Sequence, residues 1–170
     1  MLHSFHYLDF IRSVLGDPKG VHAKTLGHPN GATFNTRTAA ILDYGDRVRC
    51  ALSINYNQNH SYGRKYQACE FRICGTKGAA YLHLGVNLDY PKGESDILEI
   101  NTGEGCVACP LTGSWFIDSF TNRIAQLQRF LTGQEPTLVS GVEDAWTTMA
   151  LVEVAYESSA SPAAPLAPKP

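Results

Sequence analysis

The stretch Arg37-Thr38-Ala39-Ala40-Ile41-Leu42-Asp43-Tyr44-Gly45-Asp46-Arg47-Val48-Arg49-Cys50-Ala51-Leu52-Ser53-Ile54-Asn55 decides how the chain is read. Two short apolar runs, Arg37–Asp43 and Val48–Asn55, flank Tyr44-Gly45-Asp46, whose glycine and aspartate favour a turn. The link is far shorter than the dozen or so residues that a parallel crossover needs, so an antiparallel hairpin is predicted. Outward from it the pattern repeats. Val21–Leu26, Ala68–Cys74, Ala79–Leu84, Ile97–Asn101 and Gly105–Cys109 are further short runs, separated by turn clusters such as Pro29-Asn30-Gly31, Gly75-Thr76-Lys77-Gly78 and Pro91-Lys92-Gly93. The connections from Arg37 to Leu84 leave no room for helical crossovers, so these neighbours are expected to be antiparallel.

Helical periodicity brackets the strands. Phe5, Leu8, Ile11 and Leu15 form one stripe between His3 and Leu15, and Gly16-Asp17-Pro18 ends it. After the strands, Phe116, Phe120, Ile124, Leu127 and Leu131 form a second stripe, with Ser114 as the expected cap and Gly133 as the stop. Ser140-Gly141-Val142-Glu143 reads as a capping box for a third helix, whose apolar face runs Val142, Ala145, Trp146, Met149, Val152 and Tyr156. The Ser140 cap is expected to contribute about 1 kcal/mol. Burial of Trp146 and Phe120 is expected to contribute roughly 1.5–3 kcal/mol each. The expected class is α+β: a largely antiparallel open sheet of about six to seven strands with helices on one face, over residues 1–157. Several strands are apolar on both sides, so the other face is expected to meet a second subunit. In residues 158–170, Pro162, Pro165 and Pro168 recur every third position, which suits a polyproline II tail, disordered or docked on a proline-reading partner.

Composition narrows the function. The 170 residues carry a net charge of −2, too little to draw in a nucleic-acid backbone or an anionic membrane. No apolar run approaches the roughly 20 residues of a spanning helix. The N-terminus has no basic-then-apolar signal, so a cytoplasmic location is expected. The odd set Cys50, Cys69, Cys74, Cys106 and Cys109 argues against a disulfide framework. Cys106-Val107-Ala108-Cys109 is open to a redox pair, half a zinc site or strand-edge thiols; Pro110 and the lack of a second ligand pair favour the last. Gly103-Glu104-Gly105-Cys106-Val107-Ala108 spells GxGxxA after a strand, but Pro110 blocks the helix that a pyrophosphate would need, so the match reads as accidental.

Two polar constellations remain. His6 and Asp9 lie three apart on the first helix. They read either as a general base with an orienting carboxylate or as helix-surface residues. Asn55-Tyr56-Asn57-Gln58-Asn59-His60-Ser61-Tyr62-Gly63-Arg64 is either a polar loop or a site for a hydroxyl-rich ligand.

These residues carry a resemblance. His6-Tyr7-Leu8-Asp9-Phe10-Ile11-Arg12 with Leu15-Gly16-Asp17-Pro18 is similar to the H-x-x-D…R…L-G-x-P segment of the Gfo/Idh/MocA oxidoreductase family. Thr36–Thr38, Ala40–Tyr44, Asn55–Tyr66, Phe71–Ala79, Trp115–Phe120 and Gly141–Glu153 resemble successive later segments in the family's order. The resemblance spans about residues 3–159 and concerns the C-terminal half of such enzymes alone. It implies a substrate-binding α+β domain that oligomerises through its sheet. It also implies His6 as general base and His60 as a substrate contact; Asn59, Tyr62 and Asp9 are the further substrate contacts expected. The family's N-terminal Rossmann domain and its Glu-Lys-Pro lysine have no counterpart here, and Leu2 stands where many members place an Asp.

No side chain accepts a hydride reversibly, so NAD or NADP chemistry is expected only through a separate Rossmann domain. No cofactor or metal site is expected in the chain itself. The expected function is a substrate-binding and oligomerisation domain for sugar or polyol oxidation, incomplete as an enzyme alone. The expected partners are a second copy of the chain, a Rossmann domain and a small polyhydroxylated ligand. The alternative is a non-catalytic ligand-binding or interaction module that dimerises through its sheet; a third option is an unrelated enzyme built on the Asn55–Arg64 loop.

Overall fold

Helix α1 (Ser4–Leu15) ends at Gly16, whose φ of 78° suits a residue without a Cβ and whose N–H donates to Arg12 O at 2.8 Å. The strands are β1 (Gly20–Gly27), β2 (Asn35–Asp43), β3 (Arg49–Asn55), β4 (Cys69–Gly75), β5 (Gly78–Leu84), β6 (Ile97–Asn101) and β7 (Cys106–Ala108). Helices α2 (Asp118–Leu131) and α3 (Val142–Ala160) follow. The structure, a computed structural model, describes residues 4–27, 31, 35–55, 68–85 and 93–164. The class is α+β. No helix among the described residues is long and apolar enough to cross a membrane.

The strands do not form the single open sheet expected. β1-β2-β3 make one antiparallel sheet and β4-β5-β6-β7 another. Tight links dictate pairing only between strands they join, such as the two-residue Thr76-Lys77 turn between β4 and β5. The interval between Asn55 and Cys69 is long enough to impose nothing. The chain divides into two compact units, Met1–Asn59 with Val139–Pro170, and His60–Leu138.

In the first unit, alternation along the strands sends Val21, Ala23, Thr36, Thr38, Ala40 and Leu42 inward. Of these, Val21, Ala23, Ala40 and Leu42 meet Leu8 and Ile11 of α1 and Val152 and Ala155 of α3 in one core. The buried face of α3 is not the bulky stripe expected: Thr148, Val152 and Ala155 are buried, whereas Trp146 is 76% exposed. Small residues let the helix approach β1 closely, and a buried ion network at Thr148, described below, sets its rotation. Phe120 of α2 is likewise 63% exposed. The expected caps also differ. Gly141, not Ser140, caps α3, with no side-chain bond. At α2, Asp118 reaches back to accept the Ser114 N–H at 2.6 Å, so the helix starts four residues after Ser114.

Helix α3 continues through Ala160, into the segment expected to be tail, and its last turn docks on the free edge of β1. Ser158 Oγ accepts the Ala23 N–H and Ser159 Oγ accepts the Thr25 N–H, each at 2.9 Å. Lys24 Nζ donates to the carbonyls of Ser159 at 2.7 Å and Ser161 at 2.6 Å. These bonds occupy edge donors that would otherwise invite another strand.

In the second unit, a meander presents Phe71, Ile73, Ala80, Leu82, Leu98, Ile100 and Val107 on one face. Asp96 knots the end of β5 to the approach to α2: its Oδ1 accepts the Gly85 N–H and its Oδ2 the Trp115 N–H, both at 2.7 Å. Trp115 Nε1 donates to Gly85 O at 2.7 Å. At Gly78, a Cβ would collide with the backbone carbonyl of Asn101 across the β5–β6 ladder. Gly78→Ala is therefore expected to cost about 1–3 kcal/mol, seen as a lower urea midpoint. Gly20→Ala, where a Cβ meets open space, should change the stability by no more than about 0.5 kcal/mol and leave the midpoint nearly unmoved.

Candidate functional site

The ionisable residues His6, Asp9 and Arg12 of α1 recur every third position, and Arg12 is the hub. Its side chain is 8% exposed. Nε donates to Asp17 Oδ1 at 2.7 Å. Nη1 donates to Thr148 Oγ1 at 2.6 Å and to the Asp144 carbonyl at 3.0 Å. Nη2 meets Asp144 Oδ1 at 3.0 Å. Asp9 Oδ1 lies 3.9 Å from Nη1 and accepts the Thr148 hydroxyl at 3.2 Å. Thr148 itself is fully buried. Burial is the largest single influence on the Arg12 charge and opposes it, but the Asp17 and Asp144 carboxylates together outweigh it, so its pKa stands above the ordinary arginine value. One guanidinium thus joins α1 and the Asp17 loop to α3.

Asp9 Oδ1 is thus engaged by Arg12 and Thr148. His6 is exposed, its ring edge-on to Phe5 with centroids 5.8 Å apart. An exposed imidazole can exchange protons with a ligand or with solvent. Asn59, His60 and Tyr62, the other substrate contacts read from the sequence, lie outside the described residues. Arg12, Asp144 and Thr148 were not singled out from the sequence as site residues. Arg12 shares the i, i+3 spacing of His6 and Asp9, but only the fold reveals its partners more than 130 residues away.

The other motifs resolve through strand geometry. Cys106 and Cys109 sit three apart on extended chain: Cys106 pairs with Asn101, and the Cys109 N–H bonds to Leu98 O at 2.8 Å. At about 3.3 Å per residue they are roughly 10 Å apart and on opposite faces, too far for a disulfide or a shared zinc ion. No group of three or more metal-ligating side chains exists among the described residues. The GxGxxA run forms the β6–β7 turn, with the Gly103 N–H on Asn101 Oδ1 at 2.8 Å. It opens no helix and does not form a dinucleotide cradle.

A polar cluster that the sequence reading passed over covers one face of the second sheet. Register places Glu70 opposite His83, and Tyr81 between Arg72 and Glu99. Arg72 Nη2 contacts Glu70 Oε2 at 3.1 Å, and its guanidinium lies 5.7 Å from the Tyr81 ring centroid. Desolvation, then the hydrogen bond and charge of Glu70, raise the Tyr81 pKa above the ordinary phenol value.

Residues 1–81 match the model of the GFO/IDH/MocA C-terminal domain. No curated protein matches the chain. Among solved structures, an oxidoreductase from Agrobacterium radiobacter in complex with NAD+, L-tartaric acid and magnesium is 22% identical with a TM-score of 0.70, over 92% of this chain and 45% of that one. Aldose-aldose oxidoreductase from Caulobacter crescentus, complexed with glycerol, is 16% identical with a TM-score of 0.64, over 91% and 43%. A protein of Desulfitobacterium hafniense is 17% identical with a TM-score of 0.72, over 92% and 44%. The resemblance to a Gfo/Idh/MocA C-terminal domain therefore holds at the level of fold, and the chain spans less than half the length of these structures.

The Arg12 hub and His6 make opposite demands on stability. Arg12→Met leaves three carboxylates without their cation and should cost about 2–3 kcal/mol, at or just below the roughly 3–5 kcal/mol of a fully buried pair because its partners are partly exposed. Thr148→Val, which keeps shape and loses the hydroxyl, should cost about 1–2 kcal/mol. His6→Ala should stay within about 0.5 kcal/mol. Thermal unfolding of the three variants reads this order, and a large loss at His6 would make it a structural residue.

Proposed function

We propose that the chain is the substrate-recognition and self-association domain of a cytoplasmic oxidoreductase acting on a sugar or polyol, with NAD or NADP held by a Rossmann domain outside residues 1–170. The observation that carries this reading is the family match over residues 1–81, which encloses α1 with its exposed His6. The solved structures matched include one holding NAD+ with L-tartaric acid and one holding glycerol, both small polyhydroxylated molecules.

In this reading His6 accepts the proton of the substrate hydroxyl, and Asn59, His60 and Tyr62 hold neighbouring hydroxyls. Asp9 acts at one remove, by seating α1 on α3 through Arg12 and Thr148. A nicotinamide on the separate Rossmann domain would supply the hydride acceptor. Self-association is assigned to the outer face of β1–β3, where Ile41 is 57% exposed between Ala39 and the cross-strand Ala51. That exposed apolar face also supports the second reading, a non-catalytic module that dimerises through its sheet.

The test joins the chain to the dinucleotide-binding half of a matched relative and follows nicotinamide absorbance with a panel of polyols. The chain alone should show no turnover, and the fusion should turn over a polyol. His6→Ala in the fusion should lower kcat by at least about 10²-fold. Turnover by the unfused 170 residues would refute the division of labour. A fusion as active without His6 as with it would leave the non-catalytic reading.

A further inference from the structure

We infer that α2 is a self-association surface in its own right, and that its apolar stripe is covered by α2 of a second copy of the chain. The surface belongs to the second unit and does not depend on the sheet face assigned to self-association above. Helix α2 sits with its sides reversed. Phe120 is 63% exposed, Ile124 59%, Leu127 41% and Leu131 73%, and none of its 14 residues is buried. The least exposed of them, Asp118, Ala125 and Gln126, lie on the opposite side of the helix. The stripe that would ordinarily fill a core is left in water.

The spacing names the partner. Phe120, Ile124, Leu127 and Leu131 recur at four, three and four residues, the narrow a/d seam of paired helices, whereas a helix laid on a core shows a wider apolar face. The seam also suits a copy of itself. Thr121 and Gln128 flank it without charge, and Arg123 on the other flank donates to Gln126 Oε1 at 3.2 Å, away from the seam. No charge on the seam therefore repels its own image. One end is preorganised: the Phe116 ring stands edge-on to Trp115, with centroids 5.6 Å apart, and to Phe120 at 6.3 Å. The area is sufficient. At roughly 180 Å² for a residue of this size, the exposed parts of Phe116, Phe120, Ile124, Leu127 and Leu131 amount to about 500 Å² a copy and about 1,000 Å² a pair, the size at which an interface becomes specific.

Isotope-filtered NMR on a mixture of ¹³C-labelled and unlabelled full chains reads the pairing directly. Contacts between copies are expected from the Phe120 ring to the methyl groups of Ile124, Leu127 or Leu131. Contacts of those groups confined to one chain, or no contact between copies at the highest concentration reached, would overturn the pairing. Sedimentation velocity separates it from the sheet interface. Ile41→Glu disables the outer sheet face; in that background association should persist, and adding Ile124→Glu and Leu127→Glu should raise the dissociation constant at least about tenfold with far-UV circular dichroism unchanged. Complete loss of association on Ile41→Glu alone would overturn the α2 pairing and leave the sheet reading standing. Association in that background that the two glutamates do not weaken would overturn it as well. Association indifferent to Ile41→Glu but abolished by the glutamates would sink the sheet reading alone. If the glutamates disturb the helix, the contacts between unaltered copies still decide.

Discussion

The first unit depends on a positive charge taken out of water between two helices. Arg12 is covered by α3, and a guanidinium cannot shed its proton to escape the cost of burial. The fold must therefore surround it with acceptors, and does so with Asp17, the Asp144 carboxylate and carbonyl, and the Thr148 hydroxyl. Each acceptor constrains geometry. Asp17 must follow the Gly16 turn, Asp144 and Thr148 must lie one turn apart on α3, and α3 must present that side to α1. Hydrophobic burial by Leu8, Ile11, Val152 and Ala155 supplies attraction between the same elements, but it is non-directional. The ion network makes one rotation of α3 compatible with one position of α1.

That constraint explains why element order was readable from the sequence while helix orientation was not. Strand alternation and turn chemistry act between near neighbours, so Val21–Leu26, Arg37–Asp43 and Ile97–Asn101 could be placed from their own residues. The orientation of α3 depends on a partner more than 130 residues away. By local hydrophobicity, Trp146 and Met149 outrank Thr148; in the fold Thr148 is buried and Trp146 is not. The Ser140 capping box failed in a related way, because a cap motif states what a terminus could do, and here Gly141 takes the position without it. The division into two sheets was equally hidden, since a long connection leaves pairing undetermined.

The candidate site was legible in part, for chemical reasons. A histidine and an aspartate three apart on a helix suggest a hydrogen-bonded pair, and spacing alone does not say which competing partner wins. In the fold Asp9 Oδ1 lies beside the buried Arg12 guanidinium and accepts the Thr148 hydroxyl, partners that spacing on α1 does not reveal. The CxxC reading dissolves by the same logic of period: on a helix the two thiols would share a face, whereas on an extended strand they point apart. Glu70, Arg72, Tyr81 and Glu99 came together only through strand register, which no pair of them encodes in sequence.

The choice of a small-residue face for α3 has a consequence for what the chain meets. Turning Thr148 and Ala155 inward turns Val142, Trp146 and Met149 outward, and alternation in β2 leaves Ile41 outward on the sheet. Apolar side chains of this size, grouped rather than scattered, mark surfaces that other polypeptide covers. The two surfaces differ in kind. The outer sheet face is paved with alanine and bordered by a proline-rich segment, which favours flat, extended or self-complementary contacts. On α3 it is Trp146, 76% exposed, that stands clear of the helix. The ion network that fixes the rotation of α3 therefore also decides which of its side chains are left exposed.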